Sequence, residues 1–138
     1  MRRFDHIDLR VVDAVAARAF YAKICGALGF PHVEDGPEWI CFCAKPYPEI
    51  GEYLAITEDR TYKAGNVCHA FWAQSKPEVE RIAMVLREVG APAIEGPDMF
   101  YQGHYAVYFE DLSGNRFEVC YREFTHSFDS RIPDEKNA

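Results

Sequence analysis

The chain has 138 residues, with 15 Lys+Arg against 22 Asp+Glu for a formal charge of −7. Nearly half of it (49%) is hydrophobic and 27% is charged, a composition that excludes disordered and fibrous classes. No apolar run approaches the roughly 18–20 residues of a membrane span, and the acidic balance without a basic cluster speaks against a nucleic-acid partner. Met1-Arg2-Arg3-Phe4-Asp5-His6 lacks the apolar stretch of a secretory signal, and five cysteines without a CxxC pair read as reduced thiols. The expectation is a cytoplasmic domain that handles a small molecule.

In chain order, Phe4 to Val12 predicts a strand, because Ile7, Leu9 and Val11 alternate with His6, Asp8 and Arg10. Asp13 is a candidate N-cap for a helix whose stripe is Ala17, Phe20, Ile24 and Leu28, stopped by Gly29. Turns at Pro31 and Asp35-Gly36-Pro37 frame a short strand near 32–35. Strands follow at Trp39 to Ala44 and Tyr53 to Thr57. The order then recurs. Val67 to Ala73 is strand-like, and Ser75-Lys76-Pro77-Glu78 is a capping-box pattern opening a helix through Val79, Ile82, Leu86 and Val89 to Gly90. A short piece at 93–95 precedes a Gly-Pro turn. Tyr105 to Glu110 and Arg116 to Arg122 form the last two strands, joined by the turn-rich Asp111-Leu112-Ser113-Gly114-Asn115.

Both halves read strand–helix–three strands. His6 and His69 lie 63 residues apart, as do Ala55 and Glu118, so an internal duplication is the simplest account. The expected fold is α+β: two tandem βαβββ modules forming a curved mixed β-sheet cup with helices outside. Module one spans 4–60 and module two 66–122, within a domain of 1–125, and 126–138 is a polar tail.

Strand parity locates the chemistry. His6, Asp8 and Arg10 face away from the helix, as do Tyr53, Ala55 and Thr57. Glu118, Cys120 and Arg122 share one face of the last strand. His69 shares a face with Phe71. If helices cover one side of each sheet, His6, His69 and Glu118 point into the cup. Two imidazoles and a carboxylate there make a facial site for Fe(II), Mn(II), Zn(II) or Ni(II), without choosing among them. The alternative is polar lining.

Phe4-Asp5-His6-Ile7-Asp8-Leu9-Arg10-Val11, Ala19-Phe20-Tyr21 leading to Leu28-Gly29-Phe30, and Phe109-Glu110-Asp111-Leu112-Ser113-Gly114-Asn115-Arg116-Phe117-Glu118 resemble the vicinal oxygen chelate superfamily. That group holds glyoxalase I, fosfomycin-resistance enzymes, bleomycin-binding proteins and extradiol dioxygenases. The resemblance covers residues 4 to about 122. It implies a divalent metal chelated by adjacent substrate oxygens, usually in a homodimer, with His6, His69 and Glu118 at the ligand positions. Glyoxalase I is similar but has a glutamate where this chain has Ala55, which counts against that chemistry; Glu52 is nearby with the wrong parity. Tyr108 resembles the tyrosine that contacts the site in extradiol dioxygenases and fosfomycin enzymes, or is an ordinary strand aromatic.

Asp8 and Arg10 are a candidate base and anion clamp, or a mutual pair. Tyr53 and Phe71 supply an aromatic wall. His104, with Tyr101, sits on an expected rim loop; Cys120 shares the Glu118 face and reads as a small buried apolar side chain in preference to a pocket residue, and Arg122 meets a substrate carboxylate or only the acidic tail. The expected function is a metal-dependent enzyme of this superfamily, dioxygenase-like in preference to a lactoylglutathione lyase. A metal-free, bleomycin-resistance-like binding protein is the alternative.

Overall fold

A computed structural model of the chain describes residues 4–123. The expected tail at 126–138 lies outside the described residues. The elements run β1 (His6–Val11), α1 (Ala14–Leu28), β2 (His32–Asp35), β3 (Trp39–Cys43), β4 (Tyr53–Glu58), β5 (Cys68–Trp72), α2 (Lys76–Glu88), β6 (Glu95–Tyr101), β7 (His104–Glu110) and β8 (Arg116–Arg122). This is βαβββ twice over. Two compact units result among the described residues: 4–65 with 111–114, and 66–110 with 115–123.

In the first unit the strand order is β1-β4-β3-β2, with β1 parallel to β4 and the rest antiparallel. Leu9, Val11, Ile40, Phe42, Leu54 and Ile56 are buried on one face, against the Ala17, Phe20, Tyr21, Ile24 and Cys25 stripe of α1. Leu28, expected in that stripe, is only half-buried, because the helix ends beside it at Gly29 with φ +94°. The N-cap is as expected: Asp13 Oδ1 accepts from the amides of Val15 and Ala16 at 3.0 and 3.1 Å. The turn at Asp111–Gly114 belongs to this unit, not to the second half of the chain. There the Tyr21 hydroxyl donates to buried Asp111 Oδ2 at 2.5 Å, and the Val12 amide donates to Ser113 Oγ at 2.9 Å.

In the second unit the order is β5-β8-β7-β6, with β5 parallel to β8. Val107, Phe109, Phe117 and Val119 form the buried face with Val79, Ile82, Ala83 and Leu86 of α2. The Tyr105 hydroxyl donates to Glu80 of α2 at 3.0 Å, which marks the same face. Ser75 caps α2 by accepting from the Glu78 amide, while the Glu78 carboxylate accepts from Gln74 N one residue before the cap.

One element departs from expectation. The Gly-Pro pair does not end a short piece at 93–95; β6 runs through it to Tyr101. It is an edge strand, and its register against β7 shifts between Glu95 and Asp98, so proline sits where a ladder donor is dispensable. Gly96 is required there: at φ +92° a Cβ would lie 2.7 Å from the Ala106 carbonyl oxygen.

Candidate metal and substrate site

Each unit presents one sheet face that its helix does not cover. On the first, β1 contributes His6, Asp8 and Arg10, and β4 contributes Tyr53, Ala55 and Thr57, paired His6 to Tyr53 and Asp8 to Ala55. The His6 ring stacks on Tyr53 at 4.5 Å and 6°. Its Nδ1 donates to Asp5 Oδ2 at 2.7 Å, which leaves Nε2 outside that bond. This is the orientation a histidine needs to act as a ligand. Arg10 Nη1 donates to Asp8 Oδ1 at 2.5 Å, so these two form the mutual pair.

A cavity of about 450 Å³ opens on this face, lined by His6, Asp8, Glu34, Trp39, Cys41, Cys43, Tyr53, Ala55 and Thr57, among others. Arg10 and Glu52 are not among the lining residues. Glu52 precedes β4, and its carbonyl accepts from the Ala44 amide. The sequence reading missed Glu34, Trp39, Cys41 and Cys43. Parity was available, since Trp39, Cys41 and Cys43 alternate with buried Ile40 and Phe42. Burial, with the charges of Cys43, Asp8 and Glu34 adding to it, pushes the Cys41 thiol up to about 11. It stays protonated and unreactive at neutral pH.

On the second unit, Glu118 of β8 is directly opposite Tyr108 of β7. The Glu118 carboxylate is close to His104 Nε2 at 3.0 Å and hydrogen-bonds with Tyr108. Burial alone would raise its pKa, but the bonds from His104 and Tyr108 and the charges of His104 and Arg122 outweigh it, so the net shift is down. Glu118 is therefore an ionised, partly buried carboxylate. Burial and then the Glu118 charge push the Tyr108 phenol far up, so it keeps its proton. The Tyr108 hydroxyl is thus engaged with a site carboxylate. Arg122 lies over Trp72 at 5.5 Å, and among the described residues its Nε has no hydrogen-bond partner.

Two expected residues face the other way. β5 meets β8 with His69 opposite Phe117 and Ala70 opposite Glu118. His69 lies 5.7 Å from Phe117 and Phe71 lies 5.9 Å from it, so both join the helix-side aromatic cluster, off the Glu118 face. The reason is a single residue. Ala55 and Glu118 are 63 apart, but Asp8 and Ala70, which meet them, are 62 apart. A one-residue slip turns every side chain over. The residue in β5 that corresponds to His6 is Cys68, which shares the Glu118 face and feels its charge.

His104 is the other correction. Instead of a rim loop it opens β7, paired with Tyr101 across the two-residue Gln102-Gly103 turn. Its side chain is 4% exposed, and among the described residues Nδ1 has no hydrogen-bond partner. Cys120 is buried on the same face. Among the described residues, His104, Glu118 and Cys120 are the one group offering three potential ligand atoms within 4.8 Å of one another. An ionised carboxylate beside an imidazole fits a bound cation, and His69 lies on the opposite face of the sheet from Glu118.

Comparison with solved structures agrees with this architecture. A glyoxalase/bleomycin resistance protein from Albidiferax ferrireducens is 22% identical, with a TM-score of 0.74 over 88% of this chain and 100% of its own. A fosfomycin resistance protein from Listeria monocytogenes is 20% identical, with a TM-score of 0.66 over 96% and 99%. A lactoylglutathione lyase from Agrobacterium tumefaciens is 22% identical, with a TM-score of 0.62 over 85% and 91%. These likenesses carry the fold. No curated protein matches the chain. A family model matches residues 3–119, and the chain belongs to the glyoxalase/bleomycin resistance protein/dioxygenase superfamily.

Proposed function

We propose that the protein is a divalent-metal-dependent enzyme acting on a small molecule with adjacent oxygens. The observation that carries this reading is the Glu118 carboxylate, kept ionised by His104 and Tyr108 on the face its helix leaves open. An ionised, partly desolvated carboxylate with fixed partners is a ligand prepared in advance. A divalent ion supplies Lewis-acid polarisation of substrate oxygens. The chain's own part is to orient Glu118 through Tyr108 and His104.

Ala55 at the cavity wall offers no carboxylate for proton shuttling, so ring-cleaving dioxygenase-like or other three-ligand chemistry is favoured over a lactoylglutathione lyase reaction. The same reading takes the protein as a cytoplasmic homodimer, which rests on the superfamily resemblance; among the described residues no helix is long and apolar enough to cross a membrane.

Elemental analysis of the purified protein, with Glu118→Ala alongside, tests the reading. Stoichiometric metal that falls with the variant supports it; metal content unchanged by the variant overturns it. Oxygen uptake with catechols, against thiol-dependent turnover of 2-oxoaldehydes, then separates the chemistries. A second reading, metal-free sequestration of a drug or metabolite, is favoured by the aromatic first-unit cavity and by the loss of His69 from the ligand set. Ligand binding that survives chelation would support it.

A further inference from the structure

We infer that in this protein the ion is held within the second unit by an imidazole–carboxylate–thiolate set, His104, Glu118 and Cys120, with the thiol of Cys120 losing its proton on binding. This rests on the metal-dependent reading above and specifies its ligands. The three donor groups come from two adjacent antiparallel strands, on one face, with potential ligand atoms within 4.8 Å of one another. Strand pairing makes that placement rigid. Cys120 stands across from Ala106, diagonal to its neighbours on β7, His104 and Tyr108.

A second observation points to an absent partner. The His104 side chain is only 4% exposed, yet among the described residues Nδ1 has no hydrogen-bond partner. An unsatisfied buried nitrogen costs about 1–3 kcal/mol, a cost that an ion bound at that nitrogen would remove. Glu118, at 16% side-chain exposure, gives the cluster its route to solvent. A nitrogen–oxygen–sulfur donor set also selects the ion. Thiolate and imidazole favour Zn(II), Co(II) or Fe(II), whereas Mg(II) and Mn(II) prefer oxygen ligands.

The test uses the full chain, stripped with a chelator and titrated with Co(II), read by the thiolate-to-cobalt charge-transfer absorption. The wild type is expected to develop this band, and excess Mg(II) should not displace it. Cys120→Ser should abolish the band, and His104→Gln should weaken cobalt affinity roughly 10–100-fold. Cys68→Ser and His69→Gln should leave both intact. Circular dichroism of each variant controls for folding. Cobalt that binds and depends on Glu118, but without a thiolate band, overturns this ligand set and leaves the metal-dependent reading standing. A band lost in Cys68→Ser and kept in Cys120→Ser overturns it likewise. A wild type that takes up no cobalt, zinc or iron overturns both.

Discussion

Replacing His69 with phenylalanine separates a ligand from a packing residue. The imidazole lies 5.7 Å from Phe117 at 37°, beside Phe71 and on the face shared with Phe109. A phenylalanine there extends an existing aromatic cluster. Such pairs contribute about 0.5–1.5 kcal/mol beyond simple burial, equivalent to a rise of roughly 2–8 °C in the unfolding midpoint of a domain this size. The gain has a sign in pH as well. Burial lowers the His69 pKa from 6.5, so the unfolded chain takes up a proton at a higher pH than the folded one does. Wild-type stability is therefore fully present above pH 6.5 and is lost as the pH falls through the folded pKa. The advantage of His69→Phe should then widen between pH 8 and pH 5. Thermal unfolding by circular dichroism at both values, with metal content measured on the same samples, is the assay. A folded variant that has lost its metal, or an advantage that narrows on acidification, would refute the face assignment.

Three further outcomes follow from single contacts. Tyr108→Phe removes a donor to Glu118, so metal affinity should drop about 10–100-fold in calorimetric titration while the fold persists. Tyr21→Phe takes a hydroxyl from the buried Asp111 carboxylate and should cost about 1.5–3 kcal/mol in urea unfolding, since Asp111 keeps its bond from the Ser113 amide. Gly96→Ala meets both a positive φ and the Ala106 carbonyl at 2.7 Å; a loss of about 1–3 kcal/mol is expected by the same measurement, and a neutral result would contradict the bulge.

Apart from β6, the sequence by itself determined the elements, and within each strand the alternation of its two faces. Alternation in β1 is a local property, so His6, Asp8 and Arg10 could be placed opposite Leu9 and Val11 without any partner strand. Caps at Asp13 and Ser75 were legible because a short polar side chain satisfies amides two or three residues on. Glu118 beside Tyr108 was legible too, since both sit on strands whose connecting turn fixes their register.

What only the tertiary structure decided is which residue meets which across strands far apart in the chain. The parallel pairing of β5 with β8 is set by hydrogen bonds across a 40-odd-residue connection, roughly, and one residue more or less there exchanges His69 for Cys68 on the Glu118 face. His104 was hidden for a related reason: a glycine beside it signals a turn, but only the two-residue geometry of that turn makes His104 the first residue of a buried strand. Composition carries no record of register, and register is what assembles the candidate ligands.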